Sequence, residues 1–209
     1  MRESRVTLER GELVLEGLLA HGTLKGAAGV ICHPHPLYGG DMDNGVVSTL
    51  QRVLHRFGCS TLRFNFRGVG RNSGVYGDGE GEVEDLQAAV SYLDGHGLRP
   101  LHLAGYSFGA WIALRACHSG LRPASSILIS PPLDFLQFDE LQLPSCPSLI
   151  TIGDRDDFCK RGSLQSWVST QTAAAELISI EILSDCDHFY WGKEARLTDM
   201  IAEFFKRRF

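Results

Sequence analysis

Short apolar runs alternate with helix-patterned segments along most of this chain, and that alternation limits its folds more than any other feature. It follows an opening hairpin. VTLERGELVLEGLLA reads as two strands around the turn Arg10-Gly11, with Val6, Leu8, Leu13, Leu15 and Leu19 at mostly alternating positions. The runs AAGVIC, STLRFNF, LHLAGY, SSILIS, PSLITIG and ISIEIL then read as strands. Among them lie the helical segments VVSTLQRVLHRFG, GEVEDLQAAVSYL, FGAWIALRAC and SLQSWVSTQTAAAE, and EARLTDMIAEFFKRRF closes the chain as an amphipathic helix. Strand runs this short and this continuously apolar fit a parallel sheet covered on both faces. The order predicts a three-layer α/β sandwich with a mostly parallel central sheet, in one domain over residues 1–209. In open sheets of this kind, ligands bind beyond the C-terminal ends of the strands.

Composition narrows the function classes. A chain of 209 residues, 44% hydrophobic, buries enough surface to need no disulfide or metal for its core. The net charge of -5, with no dominant basic patch, argues against a nucleic-acid partner. No apolar run approaches the roughly 18 residues of a membrane span. The charged N-terminal segment MRESRVTLERGELVLEG does not read as a secretory signal, so the expectation is a cytoplasmic protein. Its six cysteines lack Cys-x-x-Cys spacing and are expected to stay thiols. Cys159 and Cys186 flank candidate site residues, and a bond between them is the one pairing worth testing.

LHLAGY runs directly into Gly105-Tyr106-Ser107-Phe108-Gly109, and a helix follows. Gly-x-Ser-x-Gly is a weak pattern alone and a strong one at a strand-to-helix turn. A serine hydroxyl is a poor nucleophile and must stand clear of the sheet to meet a base and a substrate. A tight turn achieves this by crowding two backbones together, which requires glycine at both flanks. The helix start then offers free N–H groups to a developing oxyanion. Ser107 is therefore the candidate nucleophile, and Phe108 the first oxyanion donor.

With HPHPLYGGDMDN (33–44), RFNFRGVGRNSG (63–74), GYSFG (105–109), GDRDD (153–157) and DHF (187–189) in this order, the chain resembles the α/β-hydrolase superfamily. Within it, the likeness is to small, cap-less serine hydrolases and esterases of the His-Pro-His-Pro-x-x-Gly-Gly-x-Met type. The resemblance implies an α/β-hydrolase fold without a cap domain, with its triad in the order Ser, acid, His. It places the base at His188 and, through Gly-x-x-Asp, the acid at Asp156, with Asp154 and Asp157 as neighbouring competitors. Relatives often continue with an apolar residue and proline, where this chain has Asp157-Phe158-Cys159. The second oxyanion donor belongs to the loop after the third strand. Pro34 and Pro36 have no N–H there. The resemblance favours His35, with Leu37 as second choice.

Other signals read more plainly. His33 and His35 lack a zinc-type continuation, and Asp41–Gly45 fails the spacing of a calcium loop, so no metal and no cofactor is expected. The glycine-rich segments 68–70 and 77–81 read as connecting loops. Arg67 is expected to pair with Glu84 or Asp85 rather than with substrate. The short stretch from Pro131 to Cys146 stands where relatives insert a cap. Leu37, Tyr38, Phe135, Phe158 and Phe189 are the pocket candidates, with Leu133, Leu136, Phe138, Tyr190 and Trp191 as further wall residues. Apolar walls around a carbonyl-directed serine suit a small-molecule carboxylic ester of small to medium acyl size. Thioesters, amides, acyl transfer and a non-catalytic binding module on the same fold are the alternatives.

Overall fold

Leu8 and Leu15 face each other across the opening hairpin and are fully buried, while their strand neighbours alternate outward. The hairpin joins β1 (Glu3–Arg10) to β2 (Leu13–Ala20), and a computed structural model describes it together with the rest of residues 1–209. Arg10 pairs with Leu13, so the turn residues are Gly11 and Glu12 rather than Arg10 and Gly11. Gly11 takes the left-handed conformation (φ +58°) that such a two-residue loop demands.

Six further strands follow: β3 (Ala28–Cys32), β4 (Ser60–Phe64), β5 (Leu101–Tyr106), β6 (Ser125–Ile129), β7 (Ser148–Gly153) and β8 (Ile178–Leu183). The sheet order is β1-β2-β4-β3-β5-β6-β7-β8, antiparallel up to the β2–β4 pair and parallel beyond it. Every residue of β3 to β7 is buried, polar ones such as Arg63, His102 and Thr151 included, as strands covered on both faces require.

The helices are α1 (Gly45–Arg56), α2 (Glu80–Gly95), α3 (Phe108–His118), α4 (Arg161–Ser169) and α5 (Glu194–Arg208). One core packs α2, α3 and α4 against one face of the sheet, through Leu86, Phe108, Ile112 and Trp167 among others. The other packs α1 and α5 against the opposite face, through Leu50, Leu54, Ile201 and Phe205. The result is the expected three-layer α/β-hydrolase fold. No helix or strand interrupts residues 130–147 between β6 and β7, where a cap would insert. No helix is long and apolar enough to cross a membrane.

The fourth helix is shorter than its pattern predicts. It ends at Ser169 instead of running to Glu176, and only a 3-10 turn, Ala175–Leu177, follows. Thr170 Oγ1 and Gln171 Nε2 both donate to the Trp167 carbonyl, and Gln142 Oε1 accepts from the Thr172 amide. These side chains take over groups that another helical turn would have used.

The chain leaves β3 for β4 on one side and returns to β5 on the other. That reversal opens a crevice at the C-terminal ends of β3 and β5. Cys32-His33 and Tyr106-Ser107 lead into it.

Candidate active site

Ser107 sits on the turn between β5 and α3 at φ +53°, ψ -119°, a backbone conformation costly for any residue but glycine. Its amide donates to the Ile129 carbonyl (2.8 Å), which ties the turn to β6. The two flanking glycines permit the approach. A Cβ on Gly105 would lie 2.6 Å from the Ala110 nitrogen. One on Gly109 would lie 2.6 Å from the Cys32 carbonyl carbon and 2.7 Å from the His33 oxygen.

His188 Nε2 stands 2.8 Å from Ser107 Oγ, and His188 Nδ1 stands 2.9 Å from each carboxylate oxygen of Asp156. With the carboxylate on Nδ1, the ring proton belongs there, and Nε2 is free to accept from the serine hydroxyl. Asp156 Oδ1 also accepts the amides of Phe158 (2.9 Å) and Cys159 (3.0 Å), so the carboxylate is fixed by its own loop. All three side chains are nearly buried. The competing acids lie elsewhere. Asp157 is exposed, and Asp154 is exposed with its carboxyl accepting the Cys186 amide, a bond that lowers its titration.

The loop after β3 is held by its two histidines. His33 is fully buried; its Nδ1 donates to the Pro34 carbonyl (2.6 Å) and its Nε2 accepts the Phe66 amide (3.0 Å). Burial pulls it down to about 4, so it stays neutral. The His35 carbonyl accepts the amides of Tyr38 and Gly40, and its Nδ1 accepts the Leu37 amide (3.2 Å). The backbone N–H groups of His35 and Phe108 have no acceptor within the protein. Leu37 is thereby corrected twice. Its N–H is engaged by the His35 ring, and its side chain projects into solvent away from the cavity.

A cavity of about 550 Å³ opens over Ser107 and His188. Tyr38, Phe135, Leu136, Phe158 and Phe189 line it, and no Asp, Glu, Lys or Arg does. Phe135 meets Tyr38 and Phe158 edge to face, at 6.2 and 5.7 Å. Four further wall candidates point elsewhere. Phe138 is buried against Trp167, Leu133 packs on the core, Tyr190 is buried under the sheet end, and Trp191 is 80% exposed outside the cavity. A more polar cleft of about 410 Å³ around Trp111, Arg115 and Glu140 holds none of the residues above.

Arg67 binds Asp85 through Nε and Nη2 (2.9 and 2.8 Å) and Glu84 (3.1 Å), the pairing expected of it. All six cysteines are free thiols, and burial pushes Cys186 up to about 11. No three His, Cys, Asp or Glu side chains gather to hold a metal ion. Two site residues escaped the sequence reading. Tyr76, between the glycine-rich segments 68–70 and 77–81, packs 5.1 Å from the His35 ring, its hydroxyl 3.4 Å from Nε2. Tyr106, at a position the motif leaves open, reaches His188. Neither carries a spacing signal.

A family model described as an alpha/beta hydrolase domain matches residues 30–200. An uncharacterised protein of Rickettsia prowazekii is 32% identical over 198 residues, covering 91% of this chain and 83% of its own. The solved structure of an alpha-beta serine hydrolase homologue from Coxiella burnetii superposes with a TM-score of 0.89 at 33% identity, covering 97% of both chains. That of an a/b serine hydrolase without lid from Xanthomonas campestris gives 0.89 at 29% identity, covering 99% of this chain and 95% of its own.

Proposed function

This chain belongs to the α/β-hydrolase family, and from that premise we propose that it is a serine hydrolase acting on carboxylic esters of small to medium acyl size. The observation that carries this reading is the continuous hydrogen-bond chain from Ser107 Oγ through the His188 imidazole to Asp156. Ser107 attacks the carbonyl carbon while His188 Nε2 takes its proton. Asp156 holds the imidazole in the required tautomer and stabilises the imidazolium, without itself taking the proton. The unused N–H groups of Phe108 and His35 receive the charge that develops on the carbonyl oxygen. His188 then gives the proton to the departing alkoxide, and the alcohol leaves an acyl group on Ser107. A water molecule, deprotonated by His188, repeats the attack and frees the acid.

The cavity supports neutral substrates. Its lining offers no charged side chain to a phosphate or carboxylate, and its rings offer apolar surface to an acyl or alkyl group. A serine nucleophile separates this chain from relatives that use aspartate on halides and epoxides or cysteine on dienelactones. A cytoplasmic setting belongs to the same reading.

Covalent labelling by a fluorophosphonate probe tests the proposal. The wild-type protein is expected to label, Ser107→Ala to lose labelling, and His188→Ala to label far more slowly. p-Nitrophenyl esters of increasing chain length then locate the acyl preference. A folded wild-type protein that neither labels nor cleaves any ester of the series would overturn the reading in favour of a binding module.

A further inference from the structure

His188 lies in a loop, yet two tyrosines, one in β5 and one in the loop itself, tie that loop to the sheet. The Tyr106 hydroxyl donates to the His188 backbone carbonyl (2.8 Å), and its ring lies 5.6 Å from the imidazole at an inclination of 32°. Two residues after the histidine, Tyr190 adopts φ +58°, a conformation bulky side chains avoid, and turns its ring under the ends of β6 and β7. Its hydroxyl donates to the Thr151 carbonyl (3.2 Å) and accepts from Ser130 Oγ (2.9 Å). Ser130 also has a positive φ, +43°. Such conformations persist where the surroundings over-determine them, and they gather at functional sites. The two tyrosine rings meet edge to face at 6.1 Å. Burial raises the titration of both phenols, so both keep the proton they donate.

We infer that Tyr106 and Tyr190 are positioning residues that clamp the loop carrying His188, and so set its imidazole between Ser107 and Asp156. Tyr106 acts on the histidine's own carbonyl, and Tyr190 on the chain that leaves it. Tyr106 belongs to β5 and directly precedes Ser107, so one residue registers base against nucleophile. The inference rests on the reading of His188 as the base.

Tyr106→Phe and Tyr190→Phe, made in the full chain, test it. Each keeps its ring and removes one hydroxyl. Three quantities are read: steady-state hydrolysis of a short-chain p-nitrophenyl ester, thermal unfolding, and the low-field proton NMR resonance of His188 Nδ1–H against Asp156. For Tyr106→Phe, kcat is expected to fall about tenfold with KM changed less than about twofold, within the roughly hundredfold that a 1 Å misplacement costs. The NMR resonance is expected to shift or broaden. Tyr190→Phe should act in the same direction and decides the matter if Tyr106→Phe does not fold. An unchanged kcat with an unmoved resonance overturns the clamp, whatever the melting temperature does. A lower kcat with an unmoved resonance also overturns it, since Tyr106 would then act on substrate. If the wild-type protein cleaves no ester and yet the hydroxyl deletions move the resonance, the ester reading fails and the clamp stands.

Discussion

Gly109→Ala tests how tightly the nucleophile turn is wedged against the loop after β3. The new methyl carbon would sit 2.6 Å from the Cys32 carbonyl carbon and 2.7 Å from the His33 oxygen, where ordinary contact begins at 3.4 Å. Both neighbours are backbone, so no side chain can swing aside. The start of α3 and the end of β3 must separate by at least about 0.8 Å to clear the Cys32 carbonyl carbon, and by more to clear its oxygen, in a core packed at crystal density. Overpacking of this kind costs about 1–3 kcal/mol. At about 2–4 °C per kcal/mol for a chain this long, the melting temperature should fall by about 2–12 °C. The same movement draws Phe108 N–H away from His35 N–H. Misplacing one oxyanion donor should then slow fluorophosphonate labelling by about 10²-fold, well beyond what the loss of stability explains. Gly162→Ala is the control. It lies in α4 with nothing near its Cβ position, and should stabilise by about 0.5–1 kcal/mol without touching labelling. A Gly109→Ala protein that melts within about 1 °C of wild type and labels at the wild-type rate would refute the wedge argument.

Two other outcomes follow from the site. Asp156→Asn keeps an oxygen for the Phe158 and Cys159 amides but offers His188 an N–H donor, which forces the ring proton onto Nε2, facing Ser107. Ester turnover should fall by about 10⁴-fold with little change in melting temperature, and a loss under tenfold in kcat would contradict Asp156 as the acid. His33 makes the fold itself sensitive to acid. Burial lowers it from 6.5 to about 4, so below the unfolded value the unfolded chain binds a proton that the folded chain refuses. The stability held by a neutral His33 is full above pH 6.5 and is lost as pH falls toward 4, by about 2 kcal/mol between pH 7 and pH 5. Urea unfolding at both pH values checks this, and His33→Gln should shed most of the difference.

Much of this molecule was legible because its signals are local. The strand-to-helix turn at Ser107 needs glycine on both sides, and the three-layer architecture follows from short apolar runs that alternate with helical segments. The order Ser, Asp, His was readable only through the family likeness, since nothing local links residues 107, 156 and 188. What escaped depends on where a side chain turns. Tyr190 and Trp191 are adjacent aromatics after the same histidine, yet one is buried under the sheet and the other stands in solvent. A positive φ at Tyr190 makes that difference, and no periodicity announces it. Leu37 looked like a pocket wall and a donor alike, until the His35 ring took its N–H. The fourth helix stopped early where Thr170 and Gln171 turn back onto the Trp167 carbonyl.

The histidine loop grows out of β8, which has a sheet neighbour on one side only. Border strands fray more readily than interior ones, and partial opening there costs less than global unfolding. The serine, by contrast, is rooted in β5, deep inside the layers. The proposed base is thus carried from a border of the sheet and tied back to its interior through the Tyr106 and Tyr190 hydroxyls. Mild denaturant should silence turnover while the centre of the fabric stays intact, so that activity reports on one seam and not on the whole cloth.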